Sequence, residues 1–120
     1  MVNQFKNEIT GNEKTEVLDR FAQKYVKQEK NAPLMWLALK EKTRLLQFPE
    51  IRDLGIPDEH RVYFYLERQR QLYATDLKSV IEFVESFEPW EEVDAYIFDE
   101  DMQWLVVITH EDEQILCIGV

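Results

Sequence analysis

Apolar residues recur every three or four positions through residues 13–29, where Val17, Leu18, Phe21 and Tyr25 form a stripe flanked by Ala22 and Val26. That spacing predicts an amphipathic helix. Glu13 and Glu16 fall in its first turn and Lys24, Lys27 and Lys30 near its end, a polarity that suits the helix dipole. Gly11-Asn12 breaks the chain before it, and residues 1–12 are expected to be loosely ordered. Asn31-Ala32-Pro33 then restarts the chain, with Asn31 as N-cap and Pro33 in the first turn. Leu34, Leu37, Ala38, Glu41 and Leu45 lie along one line of a second helix over 33–47, widened by Met35, Trp36, Leu39 and Leu46. The short loop between the two predicts an antiparallel helix pair.

After a connector containing Pro49, Gly55 and Pro57, the pattern becomes strand-like. Val62–Glu67 reads as a strand and Leu72–Ala74 as a second short one across a polar turn. Thr75 is placed to cap a helix over 76–87, with Asp76 in its first turn and Leu77, Val80, Ile81, Val84 and Phe87 as its buried stripe. Pro89 ends it. Three strands follow, Ala95–Phe98, Trp104–Thr109 and Gln114–Gly119, separated by the acidic turns Asp99-Glu100-Asp101 and Glu111-Asp112-Glu113. Trp104, Val106 and Ile108 face one way and Leu105 and Val107 the other, so these strands should be covered on both faces. The expected fold is α+β in one domain, residues 1–120. It has an N-terminal antiparallel helix pair, then a strand, a helix and a three-stranded antiparallel β-meander forming one sheet.

Composition supports a folded core. The 120 residues are 45% hydrophobic, with three Trp, five Tyr and seven Phe, too rich in aromatics for a disordered chain. Cys117 is the single cysteine, so no internal disulfide can form. Its neighbours Ile115, Leu116 and Ile118 mark it as a small buried hydrophobe rather than a reactive thiol. The N-terminal residues lack an apolar core of signal-peptide length, and the longest apolar run, Trp104–Thr109, is strand-sized. A cytoplasmic protein without membrane association is expected.

Charge changes the picture more. Residues 1–74 carry thirteen Lys/Arg against eleven Asp/Glu, whereas residues 75–120 carry thirteen acids against Lys78 alone, a net of −12. A block so one-sided speaks of partners and repulsion rather than of fold. Direct nucleic-acid binding is disfavoured: the basic residues of the helices are diluted by acids, and Arg61, Arg68 and Arg70 make only a small cluster. Those arginines are expected to answer the acids of the last third, within the fold or across a dimer.

Catalytic chemistry finds little footing. No GxGxxG or GxxxxGK occurs, and the only serines, Ser79 and Ser86, fall inside a predicted helix. Asp94, Asp99, Glu100, Asp101, His110, Glu111, Asp112 and Glu113 offer hard ligands. In a meander, however, the two acidic turns fall at opposite ends of the sheet, on the order of 17–20 Å apart. The spacing at 99–101 also lacks the alternation and glycine of an EF-hand loop. Solvated turns are the plainer account. The acids after His110 would favour its charged form, but a strand-end histidine that orders its own turn is the simpler reading. Trp36 and Trp104 sit on apolar faces. Trp90, between Pro89 and Glu91-Glu92, is an aromatic ringed by carboxylates and suits docking onto a basic partner.

Glu88-Pro89-Trp90, Asp94-Ala95-Tyr96-Ile97-Phe98-Asp99, Trp104, Thr109-His110-Glu111-Asp112 and Gly119 together resemble the C-terminal part of small uncharacterised bacterial proteins, some similar to immunity proteins of polymorphic toxin systems. The resemblance covers residues 88–119. It implies a cytoplasmic protein that binds and neutralises a partner protein, and it brings no catalytic residues.

The expected function is therefore an acidic protein-binding module. It would be an inhibitor or immunity-type protein that masks a basic site on a partner such as a nuclease, with no enzymatic activity, cofactor or metal. The partner-binding residues would be Glu88, Trp90, Glu91, Glu92, Asp94, Asp99, Glu100, Asp101, Glu111, Asp112 and Glu113, with Trp90 as the apolar anchor. The alternatives are a self-associating homodimer whose charge serves only solubility, and a small metal-binding domain or enzyme centred on His110.

Overall fold

The computed structural model describes residues 8–26, 39, 44–46, 55–57, 59–85, 94–108 and 115–119. The elements in chain order are β1 (Glu8–Ile9), α1 (Gly11–Tyr25), β2 (Arg44–Leu46), β3 (Arg61–Leu66), β4 (Gln71–Asp76), α2 (Leu77–Glu85), β5 (Ala95–Asp99), β6 (Leu105–Ile108) and β7 (Ile115–Ile118). The fold is α+β. The described strands form one antiparallel sheet of seven, in the order β1-β4-β3-β5-β6-β7-β2.

Period-two alternation sends successive side chains to opposite faces, and a helix covers each face. Val62, Phe64 and Leu66 of β3, Ala95 and Ile97 of β5, and Trp104, Val106 and Ile108 pack with Leu77, Val80, Ile81 and Phe83 of α2. On the other face, Tyr65, Tyr96, Phe98, Leu105 and Val107 pack with Val17, Phe21 and Tyr25 of α1. The α1 face is aromatic at its centre, where the Phe21 ring lies 4.7 Å from Phe98 and 5.5 Å, edge-on, from Tyr96. Cys117 is a buried free thiol on the α2 face.

Two four-residue turns end on residues in the left-handed region, Arg70 (φ 57°) and Met102 (φ 55°). Each closes a hairpin: Arg70 N–H donates to the Glu67 carbonyl at 3.2 Å and Met102 N–H to the Asp99 carbonyl at 2.8 Å. The turns lie at opposite ends of the sheet, because Leu66 pairs with Ala95 and Val62 with Asp99. Helix α1 reaches both of them. Lys14 Nζ donates to the Arg70 carbonyl, and the Tyr25 hydroxyl donates to the Met102 carbonyl at 2.8 Å. Eleven residues of helix rise about 16 Å, close to the span of a six-residue strand. The helix is thus tied along the strand direction at both ends.

The N-terminal part departs from the helix pair expected of it. Helix α1 begins at Gly11 and stops at Tyr25. Val26 is extended (φ −115°, ψ 130°) and bridges to Leu39. Arg44–Leu46, placed in the second helix by periodicity, is instead a strand paired with Cys117, Leu116 and Ile115. A short apolar run fits either period, and the open edge of β7 offered backbone partners that a lone helix could not. Apart from Leu39, the remainder of 33–47 lies outside the described residues. Glu8–Ile9, expected to be loose, pairs with Tyr73 and Leu72 at the opposite sheet edge. The last three strands do not stand as a separate three-stranded unit. They continue into β3 on one side and β2 on the other. The 72–74 strand is longer than expected, running from Gln71 to Asp76 and pairing along all of β3. Thr75 therefore belongs to the strand and is buried, and the Asp76 carboxylate accepts the Ser79 N–H at 2.8 Å in its place.

Candidate functional site

Strand β5 delivers the chain to the Asp99–Met102 turn, and register places this turn beside the start of β3. Val62 faces Asp99 across the β3–β5 pair, so Glu59, His60 and Arg61 arrive next to Asp99, Glu100 and Asp101. With Pro57 they line a cleft of about 580 Å³ that opens to solvent.

Within the cleft the side chains divide into a fixed floor and an exposed rim. Asp99 is buried, and its carboxylate is held from two directions. Oδ1 accepts the Asp101 N–H at 2.6 Å, and Oδ2 lies 3.3 Å from His60 Nε2. The His60 ring is in turn 6.0 Å from the Trp104 ring. His60 itself is tied into the backbone, its N–H donating to the Pro57 carbonyl and its carbonyl accepting the Leu77 N–H. Glu59, Glu100 and Asp101 are exposed at the rim. Among the described residues these three carboxylates form no ion pair. Arg61 pairs in register with Asp76 on the β4 side. Asp76 titrates below its ordinary value because it accepts hydrogen bonds from the Ser79 side chain and backbone. Burial opposes these bonds without outweighing them, and the charges of Arg61 and Lys78 add smaller effects in the lowering direction.

The acids singled out from sequence fall in different places. Glu100 and Asp101 stand together at the tip. Asp99 turns inward beneath them. Asp94 is at the far end of β5 and fully enclosed, its Oδ2 accepting the Arg68 Nε–H at 2.6 Å. A carboxylate so enclosed needs its cation inside the fold. The basic cluster is accordingly divided, with Arg68 and Arg70 at one end of the sheet and Arg61 at the other. The two acidic connections of the last strands also leave β6 from opposite ends, because Phe98 pairs with Leu105 and Ile108 with Ile115. Glu88, Trp90, Glu91, Glu92, His110, Glu111, Asp112 and Glu113 lie outside the described residues.

Sequence reasoning missed Glu59, His60 and Arg61 as neighbours of the acidic turn. Their position follows from β3 pairing with β5 across the intervening hairpin partner and helix, and no local pattern encodes that. Among the described residues no group of three or more His, Cys, Asp or Glu side chains is placed to hold a metal ion. Among the same residues no helix is long and apolar enough to cross a membrane.

No curated protein and no solved structure matches the chain. A protein family matches from residue 2 to residue 120, and the chain belongs to it: DUF6756, a family of unknown function.

Proposed function

We propose that the chain is an acidic protein-binding module of the inhibitor or immunity type, acting in the cytoplasm by covering a basic site on a partner protein such as a nucleic-acid-cleaving enzyme. The observation that carries this reading is the tip of the β5–β6 turn. There Glu100 and Asp101 project into solvent beside Glu59, at the rim of an open cleft, within a segment of net charge −12. A rim of exposed carboxylates that form no ion pair among the described residues attracts a Lys/Arg-rich surface at long range and stands in for the phosphates such a surface binds.

The packing supports the same choice of surface. Both faces of the sheet are occupied by the chain's own helices, which leaves charge rather than an apolar sheet face as the recognition feature. Glu88, Trp90, Glu91, Glu92, Glu111, Asp112 and Glu113 are proposed as further contacts, with Trp90 as the anchor. Asp94 and Asp99 serve this surface from inside, by fixing β5.

The test is capture of partners from cell lysate, comparing the wild type with a variant combining Glu59→Gln, Glu100→Gln and Asp101→Asn, at low and moderately high salt. The expected outcome is a basic protein retained by the wild type, released by salt and not captured by the variant. A salt-insensitive homodimer with no captured partner would reject the proposal in favour of self-association.

A further inference from the structure

We infer that Tyr25 is a positioning residue for the acidic tip, so that the presentation of Glu100 and Asp101 is controlled by α1; the binding consequence rests on the function proposed above. Met102 is the last residue of the turn that carries those two acids. Its backbone is left-handed at φ 55°, a conformation unfavourable for an unbranched side chain other than glycine. Two sets of contacts hold it there. Its side chain is buried in the α1-facing core. Its carbonyl accepts the hydroxyl hydrogen of Tyr25, a residue 77 positions away in sequence and itself only 1% exposed. The amide of Met102 and that of Asp101 both return to Asp99, so the peptide groups between 99 and 102 are fixed as a set. The Tyr25 bond ties the carbonyl of the turn's last residue to another element, as the His60 contact ties the Asp99 side chain at its first. A surface held in its binding shape before encounter loses less entropy on association.

The β3–β4 turn supplies an internal control. It has the same left-handed closing residue, Arg70, tied to the same helix through Lys14. Tyr25→Phe removes one hydroxyl while keeping the ring that packs on Phe21, 5.2 Å away.

The experiment is amide hydrogen exchange on full-length wild type and Tyr25→Phe, read at Asp101 and Met102 and, as control, at Arg70. It is paired with the binding kinetics of a heptaarginine peptide. The variant is expected to exchange about fivefold faster at Asp101 and Met102 than the change at Arg70 accounts for, the loss of one hydrogen bond. Peptide dissociation should accelerate by a similar factor with the association rate unchanged, because the charges that steer encounter remain. Equal acceleration at Arg70 and Met102, or none at either, would overturn the inference and leave the surface reading intact. Local acceleration with a peptide that does not bind the wild type would keep the clamp and reject the surface.

Discussion

At the scale of single residues, the backbone conformation of Arg70 and Met102 gives a pair of opposite expectations. Both occupy the left-handed region, but Arg70 is exposed and Met102 is buried. Arg70→Gly should raise stability by up to about 1 kcal/mol, since strain relief slightly exceeds the added freedom of the unfolded chain. Met102→Gly relieves the same strain but empties a core position, and should cost about 2 kcal/mol or more. Urea unfolding of the two variants checks this; a shift of the same sign in both would refute the assignment of the strain. Arg68→Ala leaves the enclosed Asp94 carboxylate without its guanidinium. With Arg68 itself over a third exposed, the expected loss is roughly 2 kcal/mol, below that of a fully buried pair. Asp94→Asn combined with Arg68→Ala should recover part of that loss, and an equal or larger loss in the double variant would count against the pairing. Asp76→Ala should cost about 1 kcal/mol by uncapping α2. Because the folded carboxyl titrates below its ordinary value, this contribution is full above that ordinary value and vanishes as pH falls through the lowered one. The gap between wild type and variant should therefore close on acidification; a gap that persists in strong acid would rule out the charged cap.

At the scale of elements, what could be read from sequence followed the strength of the period. The α1 stripe at Val17, Phe21 and Tyr25 and the α2 stripe at Leu77, Val80 and Ile81 are buried as the spacing predicts, and the split of β6 between two faces follows from its alternation. The period failed where segments were short. Leu45-Leu46 fits a helix as well as a strand, and only the free edge of β7 decided it. Glu8–Ile9 is too brief to carry any period. The cap moved by one residue because Thr75 is drawn into the pairing of β4 with Val62, which frees Asp76 to bond Ser79. The acidic tip was legible as a polar interruption between apolar runs, but its company was not, since Glu59 and His60 reach it through strand register alone. Gly119 illustrates the same dependence on distant backbone. At φ 80° a Cβ there would collide with the Gln103 carbonyl and approach Trp104 Cα to 3.2 Å. Gly119→Ala should lower stability by roughly 2 kcal/mol or more in thermal unfolding, and a neutral effect would show that β7 does not close against β6 in this way.

At the scale of the whole molecule, charge and packing carry separate tasks. Apolar residues of the sheet and two helices account for the fold, and the buried acids Asp94 and Asp99 are held by partners within it. The acids of the rim are held by nothing described, and they concentrate where a turn projects. Repulsion among them opposes compactness slightly, a cost that a surface selected for binding a cation-rich partner would retain. The most direct test of this account is the association rate of the captured basic partner with the wild type and with the Glu59→Gln, Glu100→Gln, Asp101→Asn variant across a range of ionic strength. The account predicts a wild-type rate that falls steeply as salt shortens the Debye length to about 8 Å and below, with the variant about tenfold slower at low salt and nearly flat. Identical rates and identical salt slopes for the two proteins would contradict it.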